Sequence, residues 1–369
     1  MTFTSTKLAM FAIALDDEKT TYCLGDTISG RVRFQLNGVV RARAVRICLR
    51  GRASAKWIEE DWDSEMVYTA ATHSKRKSLL HESLTLWGKP IRNSALYPGE
   101  HEFTFKIVLP TSKLPPSFEQ KSPLEDLSID YWLTAKIVRR WKDDYKIEKS
   151  LTIVRYVNID RVNCSPPIEH STERRIASRS TFSRQSHSDA VEGRLSVCAH
   201  LNRVIYSAVE DSIYLSVQVD NRTIRTFDGL RCRFVAFTTA RAGLCASRIF
   251  ERVLWEFVAE KPIAPSSHYA WLNLRIDVSD VAPSVHGNEC DVISLLYCVH
   301  LVVPASKVQL LLPVLLASSL PRSCCHGDEN DIPSLLRATP PPPYAAAPSP
   351  QPPPYSEYGM HDFRAKIVV

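Results

Sequence analysis

Two short runs near the C-terminal end are the residues whose types and spacing most clearly do chemistry: Pro341-Pro342-Pro343-Tyr344 and Pro352-Pro353-Pro354-Tyr355. That chemistry is recognition. Consecutive prolines fix φ near −65° and hold the chain in polyproline II, so little entropy is left to lose on docking. In the WW-domain mode an aromatic groove takes the two prolines and a second pocket takes the tyrosine. Pro341, Pro342 and Tyr344 form one such ligand, and Pro352, Pro353 and Tyr355 the other. Tyr344 and Tyr355 stand eleven residues apart, a span of at most about 34 Å at roughly 3.1 Å per residue. Adjacent WW domains could engage both, with an effective concentration in roughly the millimolar range.

Covalent chemistry finds less support. The sequence contains no GxSxG, HExxH, GxGxxG or P-loop, and His81-Glu82 and His101-Glu102 lack the second histidine of a zinc site. The second of these pairs reads as surface residues. Cys324-Cys325-His326 is open to three readings: a metal fragment without an adjacent fourth ligand, a palmitoylation site, or an inert exposed pair. Arg41, Arg43, Arg46, Arg50 and Arg52 make the strongest local positive field. Alternation alone explains it as the wet face of a strand, with contact to acidic cargo or anionic lipid as the other reading. No catalytic residue, metal or cofactor is expected.

The elements that carry these residues follow from composition and period. The chain has 369 residues, 44% of them hydrophobic and 23% charged, which excludes a wholly disordered polymer and suits two domains plus a tail. Forty-six Lys and Arg against 40 Asp and Glu leave +6, too weak without a basic tract to expect nucleic acid as partner. Ten cysteines lie scattered without a CxxC pair, which reads as reduced core thiols and a cytoplasmic location. The apolar stretch from Leu8 to Leu15 meets Asp16-Asp17-Glu18 with no small-x-small cleavage site, so a buried strand is expected there instead of a signal. The apolar run from Val299 to Leu316 is interrupted by His300, Pro304, Lys307 and Pro313, so it does not read as a membrane span. Asn221-Arg222-Thr223 matches a glycosylation sequon and reads as a turn-like tripeptide.

Period-two alternation dominates. Ile28, Gly30, Val32, Phe34 and Leu36 oppose Thr27, Ser29, Arg31, Arg33 and Gln35, and the pattern recurs from Val45, Phe103, Tyr131, Leu151, Ile213, Leu272 and Ile293 onward. In the sixth of these runs, Leu272, Leu274, Ile276 and Val278 are expected on one face. Only 78–86 and 118–127 leave room for a helical turn or two. The fold class is therefore all-β, with half-buried antiparallel strands in sandwiches. Residues 163–190, rich in Ser, Arg, His and Pro, read as a mobile linker or loop that could carry phosphosites. The domain map is 1–162 and 191–320 as two β-sandwiches, 163–190 between them, and 321–369 as a disordered Pro-rich tail.

Tyr22-Cys-Leu-Gly25-Asp26-Thr-Ile28-Ser-Gly30, Arg46-Ile-Cys-Leu-Arg-Gly51 with Trp57, and Leu96-Tyr-Pro98-Gly99-Glu100-His-Glu102-Phe103 running on to Leu114-Pro115-Pro116-Ser117-Phe118 fall in order, followed by Asp130-Tyr131-Trp-Leu133. This series resembles the N-domain of the α-arrestins, the arrestin-domain-containing proteins. Tyr206 stands where the family repeats its tyrosine, here without the glycine of the following turn, and Val217-Gln-Val219-Asp-Asn221 and Leu311-Leu312-Pro313 are similar to its C-domain. The resemblance covers roughly residues 7 to 320. It implies two arrestin-like, immunoglobulin-like sandwiches and an adaptor role. In that role cytosolic parts of transmembrane cargo are bound, and the tail recruits WW domains of NEDD4-class ubiquitin ligases. It also implies protein transport, endocytosis, recruitment to plasma membrane and endosomes, and peripheral membrane contact. The buried charged core and long regulatory tail of visual and β-arrestins are not located.

Overall fold

The computed structural model describes residues 7–318 apart from 63–67, 89–93, 112–113, 155–166, 180–189, 209–211, 244–245 and 280. Within them every regular element is a strand: β1 (Leu8–Leu15), β2 (Thr21–Cys23), β3 (Thr27–Leu36), β4 (Val40–Trp62), β5 (Tyr68–Gly88), β6 (Ser94–Leu96), β7 (Gly99–Val108), β8 (Phe118–Ser122), β9 (Glu125–Arg139) and β10 (Tyr145–Val154) in the first half. The second half holds β11 (Ile168–Arg179), β12 (Ala190–Leu201), β13 (Ile205–Ser207), β14 (Ser212–Arg222), β15 (Arg231–Ala242), β16 (Ala246–Val258), β17 (Ser267–Asp277), β18 (Ile293–Val303) and β19 (Val308–Ala317).

Each half is a sandwich. In the first, the sheet β1-β3-β7 covers the sheet β2-β10-β9-β4-β5, with β6 beside β4 and β8 beside β9. In the second, β11-β12-β14-β17 covers β13-β19-β18-β15-β16. The alternating side chains do this directly. Ile28, Val32 and Phe34 of β3 are buried and share a core with Ile47 and Leu49 of β4 and Leu133 and Ile137 of β9, while Arg31 and Arg33 stay outside. Two backbones approach too closely for any side chain. A Cβ on Gly51 would sit 2.5 Å from the Tyr131 ring, and one on Gly30 would sit 2.3 Å from the Ala14 carbonyl. Tyr131 is thereby pressed into the core, where its hydroxyl donates to the Pro115 carbonyl at 2.7 Å.

Several expectations need correction. The stretch 78–86 is strand, paired with β4, and 118–127 is the β8–β9 hairpin, with Phe118 opposite Ile129. Neighbouring strands satisfy these backbones, and no helix forms. The linker reading of 163–190 also fails in its middle. β11 pairs with β12 along its whole length, from Ile168 opposite Leu201 to Arg179 opposite Ala190. Ladder hydrogen bonds order a segment whose composition offers little apolar surface. Leu272 does not join Leu274 and Ile276. Between Leu215 and Val217 the β14–β17 register slips, Asn273 takes φ 55°, and Leu272 is turned outward, 66% exposed. A bulge adds one residue and inverts the face of everything beyond it. Asn221-Arg222-Thr223 is no free turn either: Asn221 and Arg222 end β14, and Asn221 is fully buried.

Candidate functional site

The WW-binding residues Pro341, Pro342, Tyr344, Pro352, Pro353 and Tyr355 lie outside the described residues, as do Cys324-Cys325-His326. The described candidates are therefore the surfaces and contacts of the two sandwiches.

The arginine run lies on the outer face of the larger N-terminal sheet. Antiparallel pairing sets Arg46 beside Lys136 of β9 and Thr85 of β5, Lys136 beside Lys146 of β10, and Arg50 between Trp132 and His81. Arg46 and Arg50 are half-buried, and the Nε atom of each is enclosed without a hydrogen-bond partner. Arg52 differs: it lies over the Trp132 ring at 5.2 Å and within 3.7 Å of Asp130. A bulge between Ala42 and Ala44 restores the phase, so Arg41 and Arg43 project near the strand's start while Arg46 and Arg50 occupy its middle. The run is thus two patches, one at the end of the sandwich and one at mid-sheet.

The His-Glu pairs do no acid–base work together. His101 is not a plain surface residue: its ring stacks on Phe34 at 4.9 Å and its Nε2 meets the Tyr97 carbonyl at 2.8 Å, while Glu102 pairs with Arg33. His81 and Glu82 are exposed on β5. Among the described residues no group of three His, Cys, Asp or Glu converges as a metal site. Five of the six described cysteines are buried. Burial pushes the Cys232 and Cys298 thiols up to about 12, so both remain protonated and poorly nucleophilic.

Asn221 closes a polar knot in the second sandwich. Its Nδ2 donates to the Arg225 and Ala264 carbonyls at 2.9 and 2.7 Å, and its Oδ1 accepts from the Thr223 N–H and hydroxyl. These bonds occupy the side chain of the sequon.

Contacts between the sandwiches come from the long β4–β5 hairpin, whose strands have 23 and 21 residues, and from β8. At about 3.3 Å per residue the longer spans roughly 75 Å, well past the first core. Lys77 and Lys75 of β5 reach Asp291 at 2.8 and 3.3 Å, and the Lys77 bond holds the Asp291 carboxyl below its usual range. Arg248 of β16 donates to the Ile58 carbonyl at 3.0 Å, and Thr238 donates to Gln120 at 2.8 Å. These partners lie 118 to 216 residues apart in sequence, and no local motif announces them.

A second device could have been read from the sequence. Lys19-Thr-Thr-Tyr22 and Arg203-Val-Ile-Tyr206 share a spacing, and both tyrosines occupy short strands that run parallel to the last strand of their sandwich, β2 on β10 and β13 on β19. Each cation lies over its ring, at 5.0 and 5.3 Å. The two halves are built on one plan.

Comparison with known proteins agrees with that plan. Residues 11–160 match the family model described as Arrestin (or S-antigen), N-terminal domain. Over these residues the chain is similar to the arrestin-domain-containing proteins, the α-arrestins. It is 26% identical over 309 residues to Arrestin domain-containing protein 4 of Homo sapiens, covering 82% of this chain and 69% of that protein. It is 24% identical over 322 residues to the Thioredoxin-interacting protein of Mus musculus, covering 85% and 74%. These relatives support an adaptor or scaffold of arrestin type.

Proposed function

We propose that this protein is an α-arrestin-type adaptor that links membrane-protein cargo to WW-domain ubiquitin ligases of the NEDD4 class, promoting cargo ubiquitination, endocytosis and transport. The observation that carries the reading is the pair of proline–tyrosine motifs following two arrestin-like sandwiches in one chain. The mechanism is proximity: the sandwiches hold cargo, the tail holds the ligase, and cargo lysines see a raised ligase concentration. No catalytic residue of this chain takes part.

The test is titration of a NEDD4-type WW array with the full chain and with Tyr344→Ala, Tyr355→Ala and the double variant. Bivalent docking gives tight binding that each single change weakens and the double change abolishes. Absence of binding by the wild-type chain refutes the reading. Binding without ubiquitin transfer to any co-expressed cargo instead supports an arrestin-like signalling scaffold.

A further inference from the structure

One end of the first sandwich combines exposed aromatic rings with a surplus of positive charge. Strand pairing brings its parts together: Leu36 of β3 lies opposite Gly99 of β7, Val40 of β4 opposite Leu96 of β6, and Ala42 of β4 opposite Arg139 of β9. The loop before β4, the segment after β6 and the β9–β10 turn therefore share this end. Each presents an apolar side chain. Trp141 at the tip of the β9–β10 turn is 88% exposed, Tyr97 after β6 is 67% exposed, and Val39 before β4 is also exposed. Single exposed hydrophobic residues are ordinary. Three from three loops, gathered at one end, are not explained that way.

The backbone makes the tryptophan more unusual. Trp141 has φ 65°, the left-handed region that suits glycine or asparagine and that a bulky side chain rarely adopts. A turn built only to join β9 to β10 would carry a smaller residue there. Strain of this kind persists where the side chain is used.

The surrounding charge identifies the counterpart. Lys7, Arg41, Arg43, Arg139, Arg140 and Lys142 stand at this end against Glu100, Asp143 and Asp144. Some are engaged internally: Arg139 donates to the Asp143 carbonyl and lies over the Tyr145 ring at 3.8 Å, and Lys7 donates to the Val39 carbonyl. Arg140 lies over Trp141 at 5.1 Å, so the cation and the ring form one exposed unit. Tryptophan and tyrosine partition to the headgroup level of a bilayer, where the ring is half apolar and half polar. Arginine and lysine at the same level meet anionic lipid.

We propose that this end of the N-terminal sandwich docks on an anionic lipid surface, with Trp141 entering the headgroup region and Arg140, Lys142, Arg41 and Arg43 meeting lipid phosphates and carboxylates. The contact would orient the adaptor at the membrane that carries its cargo, and it does not depend on WW binding. The mid-sheet arginines are left out, because Arg46 and Arg50 are half-buried on a flat sheet face away from this edge.

The test uses the full chain and sedimentation with vesicles of phosphatidylcholine alone or mixed with phosphatidylserine. The proposal requires binding to the mixed vesicles that falls as salt rises. Trp141→Ala should weaken it about tenfold, and the charge reversal Arg140→Glu/Lys142→Glu should weaken it at least as much. Both changes lie on exposed turn residues, and unchanged circular dichroism and melting temperature verify the fold. Vesicles with brominated acyl chains should quench a share of the wild-type tryptophan emission that is missing in Trp141→Phe. Equal binding to neutral and anionic vesicles, or full binding by Trp141→Ala, overturns the proposal, and the second result would instead assign the exposed ring to a protein partner.

Discussion

The two larger sheets follow the same path, β2-β10-β9-β4-β5 in the first half and β13-β19-β18-β15-β16 in the second, yet rows across the middle of their outer faces differ in chemistry. A row across the first sheet reads Lys146, Lys136, Arg46, Thr85. A row across the second reads Pro313, Cys298, Val235, Val253. Val235 has no exposed surface although it points away from the sandwich core, whereas Arg46 keeps a half-buried charge with an unpartnered Nε. The plan that folds the sandwiches is thus held by inward residues, and the outward ones are free to diverge into two different surfaces. A duplicated architecture carrying a basic row on one sheet and an apolar row on the other suits a protein that must hold unlike partners.

The shared plan is the place to expect the largest effects. Tyr22 and Tyr206 are the corresponding anchors, both buried, the first donating to the Lys19 carbonyl at 2.9 Å and the second to Asn202 Oδ1 at 2.7 Å. Either change to alanine should cost about 3–5 kcal/mol, the usual range for a buried aromatic. Urea denaturation of the two variants measures this. A loss below about 1 kcal/mol at either site would show that the parallel strands do not anchor both sandwiches alike.

The divergent faces can be exchanged. Val235→Arg puts a charge where no solvent reaches, between Cys298 and Val253, and should cost roughly 3 kcal/mol or more. The reverse change, Arg46→Val, removes a half-buried cation lying beside Lys136 and should be neutral or stabilising by up to about 1 kcal/mol, with the gain shrinking as salt screens the repulsion. Equal losses at both positions would mean that the faces differ in composition but not in tolerance.

Asn221 has its role only in the second sandwich. Asn221→Ala strips the Arg225 and Ala264 carbonyls and the Thr223 hydroxyl of a partner at once, for an expected loss of about 2–3 kcal/mol. Asn221→Asp should fare no better, since a carboxylate cannot donate to two carbonyls.

How far the sequence spoke of all this depended on the range of the interaction. Period-two alternation located the strands because each residue's face is decided by its two neighbours in the pleat. It failed at Leu272 because a bulge is set by the partner strand, and composition misled over 168–179 because β11 is ordered by the ladder along β12. The arginine run was visible as charge, but its division into an end patch and a mid-sheet patch came from a slip near Ala42 that only pairing reveals. The Lys75 and Lys77 contacts with Asp291 had no local trace. The repeated cation-x-x-tyrosine spacing, Lys19 before Tyr22 and Arg203 before Tyr206, is legible in the sequence even though the turn after Tyr206 lacks its glycine.

The gentlest probe of the contrast is pH. His300 lies on the outer face of β18, between Arg233 of β15 and Leu311 of β19. Burial lowers its pKa below the usual 6.5, and Arg233 acts in the same direction, while the hydrogen bond to Gln309 and the charge of Glu251 oppose it. The folded protein therefore binds this proton less readily than the unfolded chain, so stability falls as pH drops from about 6.5 toward the depressed folded value. His300→Gln should flatten that part of the melting-temperature profile and leave the value at pH 8 nearly unchanged. A melting-temperature profile that keeps its slope in His300→Gln would show that this half-buried histidine on the second sheet does not carry the loss at low pH.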